Sequence, residues 1–356
     1  MVECSSVTVF AAIGAAFIGF KVLTLLKALF DSYVATGISV SIYETSRSSV
    51  PVKVHGQVIY IYIDKYIKLK PKTKLITSPL PFLVVTGATD GIGKEFALQL
   101  AKKKFNVLLI SRTASKLEAA AKEISEQFGV ETKTYAMDFT KGDAQDFKNV
   151  ADIINSIRVG VLVNNVGVNH SIPTPFVEED DDVINNIIEV NVKGLMKMTK
   201  LVLPQMKENH KGLIFNMGSF AGLVATPYLS VYSAGKAFLS TWSQALGTEV
   251  AKDGIVVEHV NTYFVVSAMS KIRKPSLLIP NPDKYVASVL SKVGVPCGAN
   301  VPFTSTPYPM HGVVNWAINN LFTNQFWITQ NDNIQKDIRK RALRKREREA
   351  AARKTE

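Results

Sequence analysis

Short apolar runs alternate with stretches of helical periodicity through the centre of the chain. One helical stretch ends at about Lys103, and another covers about Ala114–Phe128. Two longer stretches lie at Val183–Met206 and Val231–Lys252. The apolar runs are Pro81–Thr86, Val107–Ser111, Thr132–Met137, Gly160–Val163, Gly212–Met217 and Ile255–Asn261. Buried strands that are separated by helices form a parallel sheet with helices on both faces. The pattern therefore predicts an α/β fold with a doubly wound parallel sheet and a ligand at the carboxyl ends of its strands.

The N-terminal segment is apolar over a membrane-spanning length. Residues Val7–Phe30 are interrupted only by Lys21 and Lys27, and roughly 20 apolar residues cross a bilayer core as a helix. A cleaved signal peptide is disfavoured because the first charge is Glu3 rather than a basic group. The alternative is an interfacial helix that carries both lysines on one face. We expect residues 1–35 to form a membrane anchor, whose lysine stems reach the bilayer surface.

The C-terminal region is hydrophobic and then strongly basic. Met310–Ile328 combines aromatic residues with asparagines, so residues 301–330 are expected to associate with a membrane rather than to span it. From Lys336 to Glu356 there are ten basic and four acidic residues, which supply half of the net charge of +12. Residues 331–356 are therefore predicted to be a basic tail on the cytosolic side. Arg353-Lys354 resembles a dilysine retrieval signal of the endoplasmic reticulum.

The remaining composition narrows the possible functions. The chain has 356 residues, which is enough for one α/β domain with appendages. We predict the domain at residues 80–300 and a linker or extension at residues 36–79. A basic tail, without a basic groove interleaved with aromatic residues, argues against nucleic-acid binding. Cys4 and Cys297 lie far apart, and the five histidines lack ligand spacing, so neither a disulfide framework nor a metal site is expected.

A glycine-bearing turn follows the first apolar run. It reads TGATDGIG over Thr86–Gly93 and opens a helix, where glycines let the backbone approach a pyrophosphate and the helix N-terminus favours its charge. The second run ends in Ser111-Arg112, without the acid that accepts from the ribose of NAD. A guanidinium at Arg112 suits the extra phosphate of NADP, with Lys94 as a second candidate. The alternative for Arg112 is an ordinary surface arginine. We predict a Rossmann-type site for NADPH.

Tyr232 and Lys236 are four residues apart in a helical pattern. This spacing places both side chains on one face of the helix. A tyrosine titrates near ~10, and a neighbouring ammonium stabilises tyrosinate, which makes the phenol a usable acid. Ser219 follows the run Gly212–Met217 and is placed to hydrogen-bond a carbonyl oxygen that becomes an alkoxide. The sequence predicts a carbonyl reductase.

Together these motifs resemble the short-chain dehydrogenase/reductase family from about Leu80 to about Met269. The resemblance implies that Tyr232 is the acid, that Lys236 lowers its pKa and binds the nicotinamide ribose, that Ser219 positions the substrate carbonyl, and that Asn191 holds the water of a proton relay. Thr262-Tyr263 replaces the Pro-Gly usual in the family, with Ser267 as a substitute hydroxyl. The predicted cofactor-binding residues are Gly87, Thr89, Asp90, Gly91, Ile92, Gly93, Arg112, Asp138, Asn165, Gly167, Tyr232, Lys236, Val265 and Ser267.

A closer resemblance narrows the substrate. The stretches GIGKEFALQLAKKKFNVLLISRTASKLE, LVNNVGVNHSIPTPF and AMSKIRKPSLLIPNP are similar to the microsomal very-long-chain 3-oxoacyl-CoA reductases of fungi. The resemblance implies reduction of 3-oxoacyl-CoA to 3-hydroxyacyl-CoA in fatty acid elongation. It also implies membrane lipid and other elongation enzymes as partners, with a homodimer as a further candidate. The expected location is the endoplasmic reticulum membrane, with the catalytic domain facing the cytosol.

Other interpretations of the function remain open. A steroid or retinoid oxidoreductase would use the same four catalytic residues, and a non-catalytic scaffold would use none of them. Ser276–Pro280 is a candidate lid over an acyl chain. Lys271, Arg273 and Lys274 are candidate contacts for CoA phosphates, and the alternative is a solvated basic loop.

Overall fold

The computed structural model describes residues 2–39, 50–54, 57–61 and 80–353, with side chains for residues 13–39 and 80–353. The strands within these ranges are β1 (Val50–Val54), β2 (Gln57–Ile61), β3 (Phe82–Thr86), β4 (Asn106–Ser111), β5 (Thr132–Ala136), β6 (Val159–Asn164), β7 (Gly212–Met217), β8 (Ile255–Val260) and β9 (Thr304–Ser305). Strands β1 and β2 form an antiparallel pair.

Eleven α-helices lie in the described ranges. They are α1 (Val2–Tyr33), α2 (Gly91–Lys102), α3 (Ala114–Phe128), α4 (Ala144–Asn155), α5 (Asp181–Ile188), α6 (Leu195–Glu208), α7 (Phe220–Leu223), α8 (Ser230–Val250), α9 (Pro282–Ser291), α10 (Pro309–Asn320) and α11 (Asn324–Arg353). A π-helical turn, Glu189–Gly194, joins α5 to α6.

Strands β3 to β9 form one parallel sheet in the order β5-β4-β3-β6-β7-β8-β9. Every residue of β3, β6 and β7 is buried, because helices cover both faces of the sheet. One apolar cluster contains Phe96 and Leu100 of α2, and a second contains Val202 and Met206 of α6. The predicted doubly wound parallel sheet is confirmed.

The strand order reverses between β3 and β6. From β3 the chain proceeds outward to β4 and β5, and it then crosses back to place β6 on the other side of β3. The crossover opens a crevice at the carboxyl ends of these two strands, where ligands bind in sheets of this topology. The glycine turn after β3 and Asn164-Asn165 at the end of β6 both lie there.

Helix α1 meets the rest of the protein through its C-terminal half. Lys21 donates from Nζ to Oδ1 of Asn320 at 2.8 Å, and Trp316 Nε1 donates to Oγ1 of Thr24 at 3.1 Å. Large apolar side chains of α1 remain exposed, among them Ile18 and Leu23, each at 65%. Among the described residues, Ile13–Tyr33 is the one helical stretch with the length and hydropathy to cross a membrane.

The predicted boundary between the membrane-associated segment and the basic tail, at residue 330, falls inside helix α11. Helix α11 is not a free tail over its described length. Arg339 donates to the carbonyl oxygen of Pro173 at 2.8 Å and to Glu178 Oε2 at 2.5 Å, and Arg346 donates to Ser171 Oγ at 3.1 Å. The basic helix therefore docks on the segment that follows β6.

Part of the predicted linker lies outside the described residues. Of residues 36–79, the structure describes 36–39 and the β1–β2 pair. The candidate retrieval signal also extends beyond the described range, since Lys354 lies outside it.

A buried carboxyl group joins β8 to the C-terminal extension. Glu258 is 3% exposed; its Oε1 accepts from Ser305 Oγ at 2.5 Å and its Oε2 accepts from the Gly294 amide at 2.9 Å. Burial raises the pKa of Glu258 to about 7, although both hydrogen bonds act in the opposite direction. The folded chain therefore holds this proton more tightly than the unfolded chain, whose glutamate titrates near 4.5.

Glu258 should make the protein less stable as the pH rises. Its contribution is fully present below the unfolded pKa and is lost as the pH passes through about 7. Relative to Glu258→Gln, the thermal midpoint of the wild type should fall by about 5 °C between about pH 5.5 and about pH 8. Glu249→Gln, at an exposed position of α8, is the control. Parallel pH dependences of wild type and Glu258→Gln would contradict the assignment.

Candidate active site

The glycine turn brings the start of α2 against the end of β3. A Cβ on Gly93 would lie 2.2 Å from the carbonyl oxygen of Gly87, so only glycine permits this approach. Gly87 has φ of +67° and Gly91 has φ of +54°, a region that favours glycine. Asp90 caps α2 by accepting from the Gly91 amide at 2.8 Å. The turn thus presents the amino end of α2 to the crevice.

Asn165 holds this turn against the end of β6. Its Nδ2 donates to the carbonyl oxygens of Thr86 and Gly87 at 3.0 and 3.2 Å. Thr86 Oγ1 in turn accepts from the amides of Asn165 and Val166, each at 3.1 Å. The two strands at the switch point are therefore joined by side-chain bonds at their carboxyl ends.

A cleft runs from the glycine turn across the ends of β4 and β5. Nine of the predicted cofactor residues line it: Gly87, Asp90, Gly91, Ile92, Arg112, Asp138, Asn165, Gly167 and Ser267. The Asp138 carboxylate accepts from the amide and hydroxyl of Thr140 at 3.1 and 2.9 Å, which leaves part of its acceptor capacity toward the cleft.

The end of β4 carries no carboxylate. Thr89 Oγ1 lies 3.1 Å from Ser111 Oγ, so this predicted residue supports the turn rather than lining the cleft. Arg112 is exposed, lines the cleft and has no hydrogen-bond or ion partner within the described ranges. Lys94, the second candidate for the phosphate, is paired with Glu123 at 2.8 Å. The arrangement suits a dinucleotide with a phosphate on its adenosine ribose, held by Arg112.

Tyr232 lies on α8 facing Ser219, the N-cap residue of α7. The tyrosine is 8% exposed, and burial raises its pKa above the ordinary value, while a hydrogen bond with Ser219 offsets part of the increase. Ser219 Oγ also accepts from the Ala221 amide at 3.2 Å. The phenol is therefore protonated at neutral pH, which is the form that a proton donor requires.

Lys236 lies one helical turn after Tyr232. Its Nζ is 5.7 Å from the centre of the tyrosine ring and donates to the carbonyl oxygen of Met217 at 2.7 Å. Burial lowers the pKa of Lys236 to about 8, so most of the group carries charge at neutral pH. Burial of the phenol raises the Tyr232 pKa and outweighs any lowering by this ammonium.

Asn191 belongs to the π-helical turn before α6 and is 2% exposed. Its amide exchanges two hydrogen bonds with the backbone of Val168, accepting at 2.9 Å and donating at 2.8 Å. The side chain thus fixes the loop after β6 next to Gly167. The proposed role of Asn191 in holding the water of a proton relay stays a prediction.

Ser267 and Val265 form a turn after β8, just beyond Thr262-Tyr263, the pair that stands where the family pattern has Pro-Gly. Ser267 Oγ donates to the carbonyl oxygen of Val265 at 3.3 Å and accepts from the Ser270 amide at 3.2 Å. The Val265 side chain is buried in the core, so of this predicted residue only the backbone takes part in the turn.

A buried polar network beneath the site was not predicted from the sequence. Asn164 Nδ2 donates to Thr199 Oγ1 at 3.0 Å and to Asn216 Oδ1 at 2.9 Å, and Asn216 donates to Ser243 Oγ at 2.9 Å. The available signal was an asparagine near the end of each of two buried strands, since a buried amide needs partners.

His259 was also missed. A Cβ on Gly218 would lie 2.2 Å from its Nε2, which places the ring directly beneath the turn that carries Ser219. Burial, together with the charge on Lys236, lowers the pKa of His259 to about 3. The imidazole is neutral at physiological pH.

The candidate lid is held by α10 and its flank. Tyr308 donates to the carbonyl oxygen of Leu277 at 3.1 Å, and His311 Nε2 lies 2.9 Å from that of Leu278. Leu277 itself is 71% exposed. In the part of the chain that the structure describes, no three His, Cys, Asp or Glu side chains form a metal-binding group.

Comparisons with known proteins agree with this geometry. The family model for short chain dehydrogenases matches residues 82–276. A protein of Laccaria bicolor named very-long-chain 3-oxoacyl-CoA reductase is 47% identical over 303 residues, which cover 83% of this chain and 90% of that protein. A protein of the same name from Mycosarcoma maydis is 41% identical over 343 residues, with 96% and 90% covered.

Solved structures with the same fold include a short-chain dehydrogenase from Sphingobium yanoikuyae in complex with NADPH. It is 27% identical, with a TM-score of 0.54 and coverage of 59% of this chain and 83% of that one. A 7β-hydroxysteroid dehydrogenase, 21% identical with a TM-score of 0.63 and 70% and 96% coverage, shares the fold. By the family match and the similarity to its fungal relatives, the chain belongs to the short-chain dehydrogenase family.

Proposed function

We propose that this protein is an NADPH-dependent reductase that converts very-long-chain 3-oxoacyl-CoA to 3-hydroxyacyl-CoA at a membrane surface. The observation that carries the proposal is the convergence of Tyr232, Lys236 and Ser219 at the carboxyl end of β7. These three residues do not line the cleft themselves, but they lie at the same edge of the sheet as the cleft that Arg112 lines. The substrate class is supported by the names of relatives that match over most of this chain.

The chain's own residues are suited to proton transfer and orientation. Bound NADPH supplies the hydride. The Ser219 hydroxyl faces that of Tyr232, and a substrate carbonyl oxygen takes a place between them. Tyr232 donates its proton to this oxygen as negative charge develops there. The Lys236 ammonium then stabilises the tyrosinate that is left.

Asn191 and Asn165 act as positioning residues in this proposal. Asn191 fixes Val168 and thereby the wall of the cleft beside Gly167. Asn165 fixes the glycine turn that receives the pyrophosphate. Neither side chain needs to titrate for the reaction.

A membrane location suits a very-long-chain substrate. Helix α1 exposes large apolar side chains, and Leu321 and Phe322, each 54% exposed, lie at the turn between α10 and α11. We take residues 1–35 as the anchor and 80–300 as the catalytic domain. The proposed location is the endoplasmic reticulum membrane with the domain facing the cytosol, where elongation enzymes and a second copy of the chain are the proposed partners.

Replacing Tyr232 with phenylalanine tests the proton donor. Tyr232→Phe should lower the rate of 3-hydroxyacyl-CoA formation by about 10³-fold, since general acid catalysis contributes on this order. NADPH affinity should stay within about twofold, because the ring that packs in the site is retained. Mass spectrometry of the thioester product and NADPH fluorescence measure the two effects. Substantial product formation by the variant would contradict the assignment.

Replacing Arg112 with aspartate tests the choice of cofactor. Arg112→Asp removes the partner of the ribose phosphate and adds a carboxylate that accepts from a free ribose hydroxyl. The ratio of kcat/KM for NADPH over NADH should fall about 100-fold. Lys94→Ala is the matched control and should change the ratio little, because Lys94 is paired with Glu123. An unchanged ratio in Arg112→Asp would mean that another group holds the phosphate.

Charges on the exposed face of α1 test the membrane anchor. Ile18→Lys combined with Leu23→Lys should release the protein from membranes, since each lysine costs about 3 kcal/mol near the centre of a span. Extraction of membranes at alkaline pH followed by sedimentation measures the retained fraction, and NADPH binding reports on folding. Full retention of a folded double variant would contradict the role of α1.

A further inference from the structure

A second, larger cavity lies beside the cofactor cleft. It has a volume of about 1100 Å³, is open to solvent, and is lined by α2, the start of α9, the segment 266–273 and one residue of α11. It meets the cofactor cleft at Asp90, Gly91, Ser267 and Ala268, but it does not extend to the ends of β4 and β5. Its volume lies just above the usual range for sites that hold a small organic ligand.

Four cations line this cavity, and one of them, Lys94, is paired with Glu123. The other three, Lys271, Arg273 and Lys345, are called the basic rim here. Lys271 Nζ donates to the carbonyl oxygen of Ser171 at 3.1 Å, and Arg346, the neighbour of Lys345, donates to Ser171 Oγ at 3.1 Å. The docking of α11 on the loop after β6 therefore brings its basic residues beside those of the segment after β8.

The charges of the basic rim are available to a ligand. Between residues 80 and 353, neither Lys271 nor Arg273 has an ion pair with a carboxylate. Lys345 has one loose pair, with Glu349 at 3.7 Å, in which both side chains are largely exposed.

The acids of the cavity are largely engaged elsewhere. Asp90 caps α2, Glu95 accepts from Gln99 at 2.7 Å, and Asp283 lies in the first turn of α9, where the helix dipole favours its charge. Neutral partners do not cancel these charges, so the lining holds four cations and three carboxylates, and its net charge is positive by one.

We propose that the basic rim binds the phosphate groups of the CoA moiety, and that Lys345 of the C-terminal helix is a specificity-determining residue for CoA thioesters. The inference rests on the proposed function and adds α11 to the substrate site. Arg112 and Asp138 assign the adenosine half of NADPH to the other cleft. This cavity is therefore left for the nucleotide part of CoA. Flexible pantetheine would then connect the rim to the carbonyl beside Tyr232.

The test is equilibrium binding of CoA to the full-length, detergent-solubilised protein saturated with NADP. The double variant Arg273→Ser with Lys345→Ser should raise the Kd for CoA by about 10-fold, since exposed charge contacts contribute up to a few-fold each. Adenosine 3′,5′-bisphosphate, which carries CoA phosphates without pantetheine, should lose affinity in parallel. Lys340→Ser, on the same helix but outside the cavity, is the matched control and should bind as the wild type does.

Kinetics add a second readout. The KM of the double variant should rise about 10-fold for a long-chain 3-oxoacyl-CoA and stay unchanged for the same acyl group on N-acetylcysteamine, which lacks the nucleotide. The KM for NADPH should also stay unchanged. CoA affinity equal to that of the Lys340→Ser control would overturn the proposal, as would a parallel rise in the KM for NADPH.

Two other outcomes are distinguishable. Wild type that binds CoA through the rim but does not reduce the thioester would uphold the site and refute the proposed function. Loss of binding to phosphatidylserine vesicles by the double variant, with CoA affinity intact, would assign the rim to lipid headgroups and overturn the proposal.

Discussion

The close approach of Gly93 to the carbonyl oxygen of Gly87 is the constraint on which the site depends. A side chain at residue 93 would lie 2.2 Å from that oxygen, and the Asn165 amide donates to Gly87 and Thr86 from the adjacent strand. This contact ties the amino end of α2 to the ends of β3 and β6. The helix end proposed to bind phosphate, the proposed cofactor cleft and the loop that Asn191 fixes all take their positions from it.

Burial governs the electrostatics of the proposed catalytic residues. The phenol of Tyr232 is kept protonated, the Lys236 ammonium is held by the Met217 carbonyl oxygen, and the nearby His259 ring is kept neutral. A neutral imidazole beneath Gly218 adds no charge that would compete with Lys236 for the tyrosinate. The site is therefore set for donation of one proton from one acid, which is what carbonyl reduction requires.

Much of the fold and site was predictable because local patterns determined them. Alternating apolar runs and helices predicted the parallel sheet, and the glycine turn predicted the position of the cleft. The Tyr232–Lys236 spacing predicted that the two side chains lie close together, and the Lys236 ammonium is 5.7 Å from the tyrosine ring centre. Their catalytic role stays a prediction. Long-range contacts were not predictable. The pairing of Lys94 with Glu123, the Asn164–Asn216 bond and the docking of Arg339 on Glu178 join residues that are 29, 52 and 161 positions apart. A basic tail and a docked basic helix have the same composition, so only the three-dimensional structure separates them.

Helix α11 lies between the apolar surface proposed to face the membrane and the cavity proposed to bind the substrate. Exposed apolar groups of α1 and of the α10–α11 turn suit a bilayer, while α11 brings Lys345 to a cavity beside the cofactor cleft. The most direct test of the account is the rate of NADPH oxidation by detergent-solubilised protein with a long-chain 3-oxoacyl-CoA, compared with the rate on the 17-ketosteroid estrone. The account predicts fast turnover of the thioester and little of the steroid. Turnover of estrone without turnover of the thioester would contradict it.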